Sequence, residues 1–90
     1  MQVAHGSTFG IQLSERSTAG YTWRLEQPVD GVELLESSLT PPPAGHVGAS
    51  GSRHFRFHAT KRGNYGLVFQ LRREWEEDPV EHRTVQIEVT

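Results

Sequence analysis

The sequence predicts an all-β fold, a two-sheet antiparallel β-sandwich of six or seven short strands. Three observations carry this. Apolar residues recur with period two along most of the chain, the mark of strands with one buried face. Turn-forming Gly, Pro, Asn and Asp residues separate these runs. No stretch reads as a long amphipathic helix. Ninety residues make a single domain, 1–90, with no room for a second core.

The elements follow in order. Residues 1–4 suit a short edge strand. Phe9, Ile11 and Leu13 alternate with Thr8, Gly10 and Gln12, and residues 14–20 form a long loop. Tyr21, Trp23 and Leu25 define the next strand, closed by a short turn at 27–31 with Pro28, Asp30 and Gly31. Trp23 holds the position of the tryptophan that packs between the sheets of such sandwiches, so it belongs to the core. A weaker strand covers 32–36, and 32–39 is the one stretch whose period is ambiguous. A long link at 37–52 carries Pro41, Pro42, Pro43, Gly45, Gly48 and Gly51. Phe55, Phe57 and Ala59 alternate with His54, Arg56 and His58. A tight turn at 61–64 leads to Tyr65, Leu67, Phe69 and Leu71; a long link covers 73–82; Val85, Ile87 and Val89 end the chain. A small barrel is the other way to close the same strands.

Long and short links alternate along the chain. Each link in an antiparallel sandwich reverses direction, so every second link lies at the same end. The three long loops therefore gather at one pole and the two tight turns at the other. Clustered loops on a rigid scaffold are where binding residues concentrate. A domain of this mass exposes roughly 5,300 Å² when folded. A standard interface takes about 800 Å² from each partner, an area that three loops can supply.

Bulk properties exclude several classes. The formal net charge is -2, which argues against duplex DNA or an anionic membrane as partner. No apolar run approaches the roughly 20 residues that span a bilayer. The first five residues lack the basic start and apolar stretch of a signal peptide. As written the chain reads as cytoplasmic, or as periplasmic or secreted if its start is trimmed. With no cysteine, there is neither a disulfide staple nor a thiolate nucleophile or ligand.

Other chemistries find no constellation. His54 and His58 lie on one strand face with Arg56 between them. Four residues of strand span about 13 Å, too far for two imidazoles to share a zinc with bonds of about 2 Å. No metal or other cofactor is expected. The glycines at 48 and 51 are followed by neither Lys-Ser/Thr nor a helix, so they are no phosphate cradle. Pro41, Pro42 and Pro43 read as a stiff loop segment rather than a polyproline ligand. The acidic run Glu74, Glu76, Glu77 and Asp78 reads as a solvated loop. Arg53, Arg56, Lys61 and Arg62 form an outward basic set without the interleaved aromatics of a nucleic-acid surface. No serine or histidine has a nucleophile-elbow or triad context, so the chain reads as a binding protein rather than an enzyme. It is expected to be a monomer.

The three long loops carry motifs. The first reads Arg16-Ser17-Thr18-Ala19-Gly20-Tyr21-Thr22-Trp23, the second Gly48-Ala49-Ser50-Gly51, the third Arg73-Glu74-Trp75. In order and spacing these resemble the chagasin-type family of inhibitors of papain-like cysteine proteases. That family has Asn-Pro-Thr-Thr-Gly-Tyr/Phe-x-Trp, Gly-x-x-Gly and Arg-Pro-Trp at these places. Arg16 and Ser17 stand for its Asn-Pro, Ala19 for its second Thr, and Glu74 for its Pro. The resemblance implies an immunoglobulin-like fold and tight, reversible, non-covalent inhibition. The first loop would enter the protease cleft and the other two would clamp its walls. The residues implied to bind the protease are Arg16, Ser17, Thr18, Ala19, Gly20, Tyr21, Gly48, Ala49, Ser50, Gly51, Arg73, Glu74 and Trp75. In physical terms Trp75 is a large aromatic in an acidic loop, the kind of residue enriched at interface hot spots. Folding back as a lid over the core is the other use for such a side chain. A non-inhibitory immunoglobulin-like adhesion or assembly module, binding through the same pole, is the competing reading.

Overall fold

A computed structural model describes residues 1–15, 20–41 and 51–90. Seven strands run through them: β1 (Gln2–Val3), β2 (Thr8–Glu15), β3 (Tyr21–Leu25), β4 (Val32–Thr40), β5 (Gly51–Ala59), β6 (Gly63–Arg73) and β7 (Glu81–Val89). They form a four-stranded sheet in the order β1-β7-β6-β3 and a three-stranded sheet in the order β2-β5-β4. Every pairing is antiparallel except that of β1 with β7. The architecture is the expected immunoglobulin-like sandwich, with that one parallel pair added at an edge.

The period-two pattern builds the core directly. Ile11 and Leu13 of β2 share a face with Phe55 and Phe57 of β5, and Trp23, Leu67, Phe69, Ile87 and Val89 cover them from the other sheet. Phe57 and Phe69 are fully buried. Phe57 stacks on Phe9 at 5.4 Å and meets Phe69 edge-on at 6.3 Å, while Phe55 lies 4.7 Å from Phe69. These are offset and edge geometries that aromatic quadrupoles favour. Without a disulfide, this cluster and the two sheets hold the domain.

Strands run further than the sequence pattern implied. The 32–36 strand continues to Thr40, β2 to Glu15, and β5 starts at Gly51, which shortens the middle link to 41–50. In β4 the register slips between Leu34 and Glu36. The bulge leaves Leu35 as the extra residue and re-aims the strand after it. Val32, Leu34, Ser37 and Leu39 then stand opposite Ala59, Phe57, Phe55 and Arg53. That spacing of two, three and two matches neither a strand nor a helix period, which makes the stretch ambiguous in sequence.

Arg53 corrects an expectation. It is not part of an outward basic set. It shares the parity of Phe55 and Phe57 and so faces inward, where its side chain is only 16% exposed. Arg56, with the parity of His54 and His58, does face out and pairs loosely with Glu36.

Both tight turns lie at one end. The Thr60 N–H donates to the Gly31 carbonyl at 2.9 Å, joining them. Gly31 has φ +109, and the Tyr65 ring packs where a side chain would stand, so glycine is required there on two counts. Lys61 pairs with Asp30 at 2.8 Å. That hydrogen bond, with the carboxylate's charge, raises the lysine pKa above its usual value.

Candidate functional site

The ladders place the opposite pole. Glu15 stands across from Gly51, Thr40 from Ser52, Tyr21 from Arg73 and Leu71 from Glu81. The ends of β2, β4 and β6 therefore meet the starts of β3, β5 and β7, and the stems of all three long links gather there. Arg16, Ser17, Thr18 and Ala19 of the first loop, and Gly48, Ala49 and Ser50 of the middle one, lie outside the described residues.

Four of the implied site residues come together. The Arg73 guanidinium sits 4.6 Å from the centre of the Tyr21 ring and 5.9 Å from that of Trp75. It also donates to Glu76 Oε1 at 2.9 Å. Trp75 is 71% exposed, so it is no lid over the core. Its ring lies against Gly20: a Cβ on Gly20 would fall 2.8 Å from Trp75 Cη2. Gly20 has φ +78, a backbone conformation that suits glycine. Gly20 therefore serves two purposes. It turns the chain into β3 and leaves a flat seat on which the last loop's tryptophan rests. First and last loops are joined by that contact and by the cation–π stack.

The last loop is itself ordered by a turn. The Glu76 N–H donates to the Arg73 carbonyl at 3.2 Å, leaving Glu74 and Trp75 as its central pair. Arg72 Nη1 donates to the Glu76 carbonyl at 2.8 Å, and the Val80 N–H reaches the Leu71 carbonyl at 2.8 Å. Glu74, Glu77 and Asp78 are exposed, as a solvated acidic loop should be.

Gly51 behaves differently from the rest. It is buried in β5, and a Cβ there would lie 2.6 Å from the Thr40 carbonyl oxygen. Its bareness lets β4 and β5 close at the base of the middle loop. The second glycine of the Gly48-Ala49-Ser50-Gly51 motif thus shapes the loop's stem from within.

Beneath the pole lies a buried ion pair that the pattern analysis missed. The Glu15 side chain is 1% exposed and its Oε2 accepts from Arg53 Nη2 at 3.0 Å. Its Oε1 accepts from Arg53 Nε at 3.2 Å and from the Trp23 N–H at 2.7 Å. The Trp23 indole N–H donates to the Ser14 carbonyl at 2.9 Å. Parity was the available signal. Glu15 continues the Ile11, Leu13 face, and Arg53 the Phe55, Phe57 face.

Among the described residues no group of three or more His, Asp or Glu side chains is placed to hold a metal ion. Among the same residues no helix is long and apolar enough to cross a membrane.

Comparison with known proteins agrees with this fold. The sequence profile described as Chagasin family peptidase inhibitor I42 matches residues 2–89. Amoebiasin-2 of Entamoeba histolytica is 27% identical over 78 residues, which cover 84% of this chain and 63% of that protein. The chain thus spans a little under two-thirds of that relative's length. Among solved structures, the crystal structure of the cysteine protease inhibitor EhICP2 from Entamoeba histolytica matches with a TM-score of 0.80 at 24% identity. That match covers 100% of this chain and 85% of the other. The solution structure of Amebosin matches with a TM-score of 0.71 at 24% identity, over 99% and 84% of the two chains. At this identity the two structures establish the fold.

Proposed function

The chain belongs to the chagasin family of peptidase inhibitors, and from that premise we propose that it is a reversible, non-covalent inhibitor of papain-like cysteine proteases. It fills the active-site cleft with the loops of one pole. The observation that carries this reading is the seat of Trp75. A large aromatic stands 71% exposed at that pole yet rests on Gly20 of the neighbouring loop. A side chain held in place while exposed loses little freedom on docking, and such preorganised aromatics make effective anchors. The chain has no cysteine, so it cannot trap a catalytic thiol as a mixed disulfide, in keeping with a non-covalent mode.

A panel of proteases tests the proposal. The chain is expected to inhibit papain and related cysteine proteases, with full recovery of activity on dilution, and to leave trypsin untouched. Inhibition of both classes, or of neither, contradicts it. Binding without inhibition would mark the pole as a docking module instead.

The departure at Glu74 gives a second expected outcome. Glu74 occupies the first central position of the turn, where proline is favoured. Arg73 before it is in a strand, the backbone that a following proline requires. Glu74→Pro should therefore stiffen the loop by about 0.4–1 kcal/mol, and inhibition should tighten about two- to fivefold, mainly through slower dissociation. Comparing dissociation rates at two salt concentrations checks this. A gain that vanishes at high salt would come from the removed charge, because screening does not act on backbone stiffness.

A further inference from the structure

We infer that Glu15 and Arg53 are positioning residues that hold the first loop in its binding geometry. This rests on the inhibitor reading for its consequence, and on the sandwich alone for its cause.

The first loop is the crossover between the two sheets. Its incoming stem, β2, belongs to the three-stranded sheet, and its outgoing stem, β3, to the four-stranded one. β2 and β3 are therefore not partners in a ladder, and no strand pairing sets the distance between the loop's ends. Among the described residues two other contacts do. The Glu15 carboxylate takes the Trp23 N–H, and the Trp23 indole N–H reaches the Ser14 carbonyl. Arg53 completes the device. Its Nε and Nη2 grip both carboxylate oxygens, which fixes the rotation of the carboxylate and hence the direction in which it holds Trp23. Arg53 itself lies two residues past Gly51, where the middle loop ends. One carboxylate thus joins both stems of the first loop to the base of the second.

Stability alone does not explain such a pair. A buried ion pair can often be replaced by well-packed uncharged residues without loss, because desolvating the two charges offsets much of their attraction. What an uncharged replacement does not supply is the directional fork. The pair's distinctive product is geometry. Without it the first loop samples other separations of its stems, and only the fraction in the binding geometry associates. The predicted signature is slower association with little change in dissociation, since every contact made in the complex remains. A residue that touches the protease would do the reverse.

The test compares three proteins against active papain: wild type, the double variant Glu15→Gln/Arg53→Met, and Arg53→Lys. The double variant leaves no unpaired buried charge and keeps an amide oxygen for the Trp23 N–H. It should unfold cooperatively near the wild-type temperature and associate about tenfold more slowly, as when one molecule in ten holds the competent geometry. Its dissociation rate should stay within about twofold of wild type. Arg53→Lys keeps the charge but not the fork, and should fall between the two. A lower unfolding temperature with an unchanged association rate would overturn the inference, as would faster dissociation alone. If the double variant does not fold, Arg53→Lys decides by the same two rates. A readout without protease separates the inference from the inhibitor reading. Amide hydrogen exchange over residues 20–22 of the free chain should quicken several-fold in the variants. Unchanged exchange overturns the inference, whereas a wild type that ignores papain overturns only the inhibitor reading.

Discussion

Trp75→Ala should weaken binding to papain by 2 kcal/mol or more, about a thirtyfold rise in the dissociation constant, while thermal unfolding barely moves. The two halves of this expectation have separate causes. Trp75 is 71% exposed, so the folded chain loses little buried area when the ring is removed. In a complex the same ring would be covered, and an indole carries more apolar area than nearly any other side chain. The loss should appear as faster dissociation. Trp75→Phe should lie between, because a smaller ring can still rest on Gly20. A sharp fall in unfolding temperature with unchanged binding would mean that Trp75 serves the fold.

Phe57→Ala should have the largest effect on stability. Phe57 is 0% exposed and contacts the rings of Phe9, Phe55 and Phe69. Removing such a ring from a core costs about 3–5 kcal/mol, counting lost transfer energy and the cavity left behind. A domain of this length holds roughly 5–13 kcal/mol in all, and no disulfide supports it. The unfolding temperature should therefore fall by about 12 °C or more, with part of the population unfolded at physiological temperature. Phe57→Leu should cost much less, because it leaves a smaller cavity. A loss under about 1 kcal/mol for the alanine variant would contradict the core described here.

Most of the scaffold was legible in the sequence because its rule is local. Phe55, Phe57 and Ala59 point inward and His54, Arg56 and His58 outward whatever the partner strand, and the turn residues at Gly31 and Gly63 mark reversals. The three-loop pole followed from the alternation of long and short links alone. Two features resisted for physical reasons. The doubled Leu34-Leu35 hides how far the strand runs, because a bulge inserts one residue into the pattern and the apolar rhythm resumes out of step. Glu15 reads as part of a loop and Arg53 as outward surface, because a charged residue at the end of an apolar run carries no local sign of burial. Only the pairing of β2 with β5 shows that each side chain has the other to neutralise it. The seat of Trp75 on Gly20 was out of reach for another reason. It joins residues 55 positions apart, and nothing in either loop's composition announces the contact. The motif resemblance named both residues, but as members of separate loops.

On the proposed reading, the loop pole occupies a protease's active-site cleft. The most direct measurement is binding to papain before and after that cleft is filled with a covalent peptide inhibitor on the catalytic cysteine. Tight binding to the open enzyme is expected, with a loss of at least about a hundredfold, or 2.7 kcal/mol, once the cleft is blocked. Equal affinity for the open and the blocked enzyme would place the contact elsewhere on the protease and contradict it.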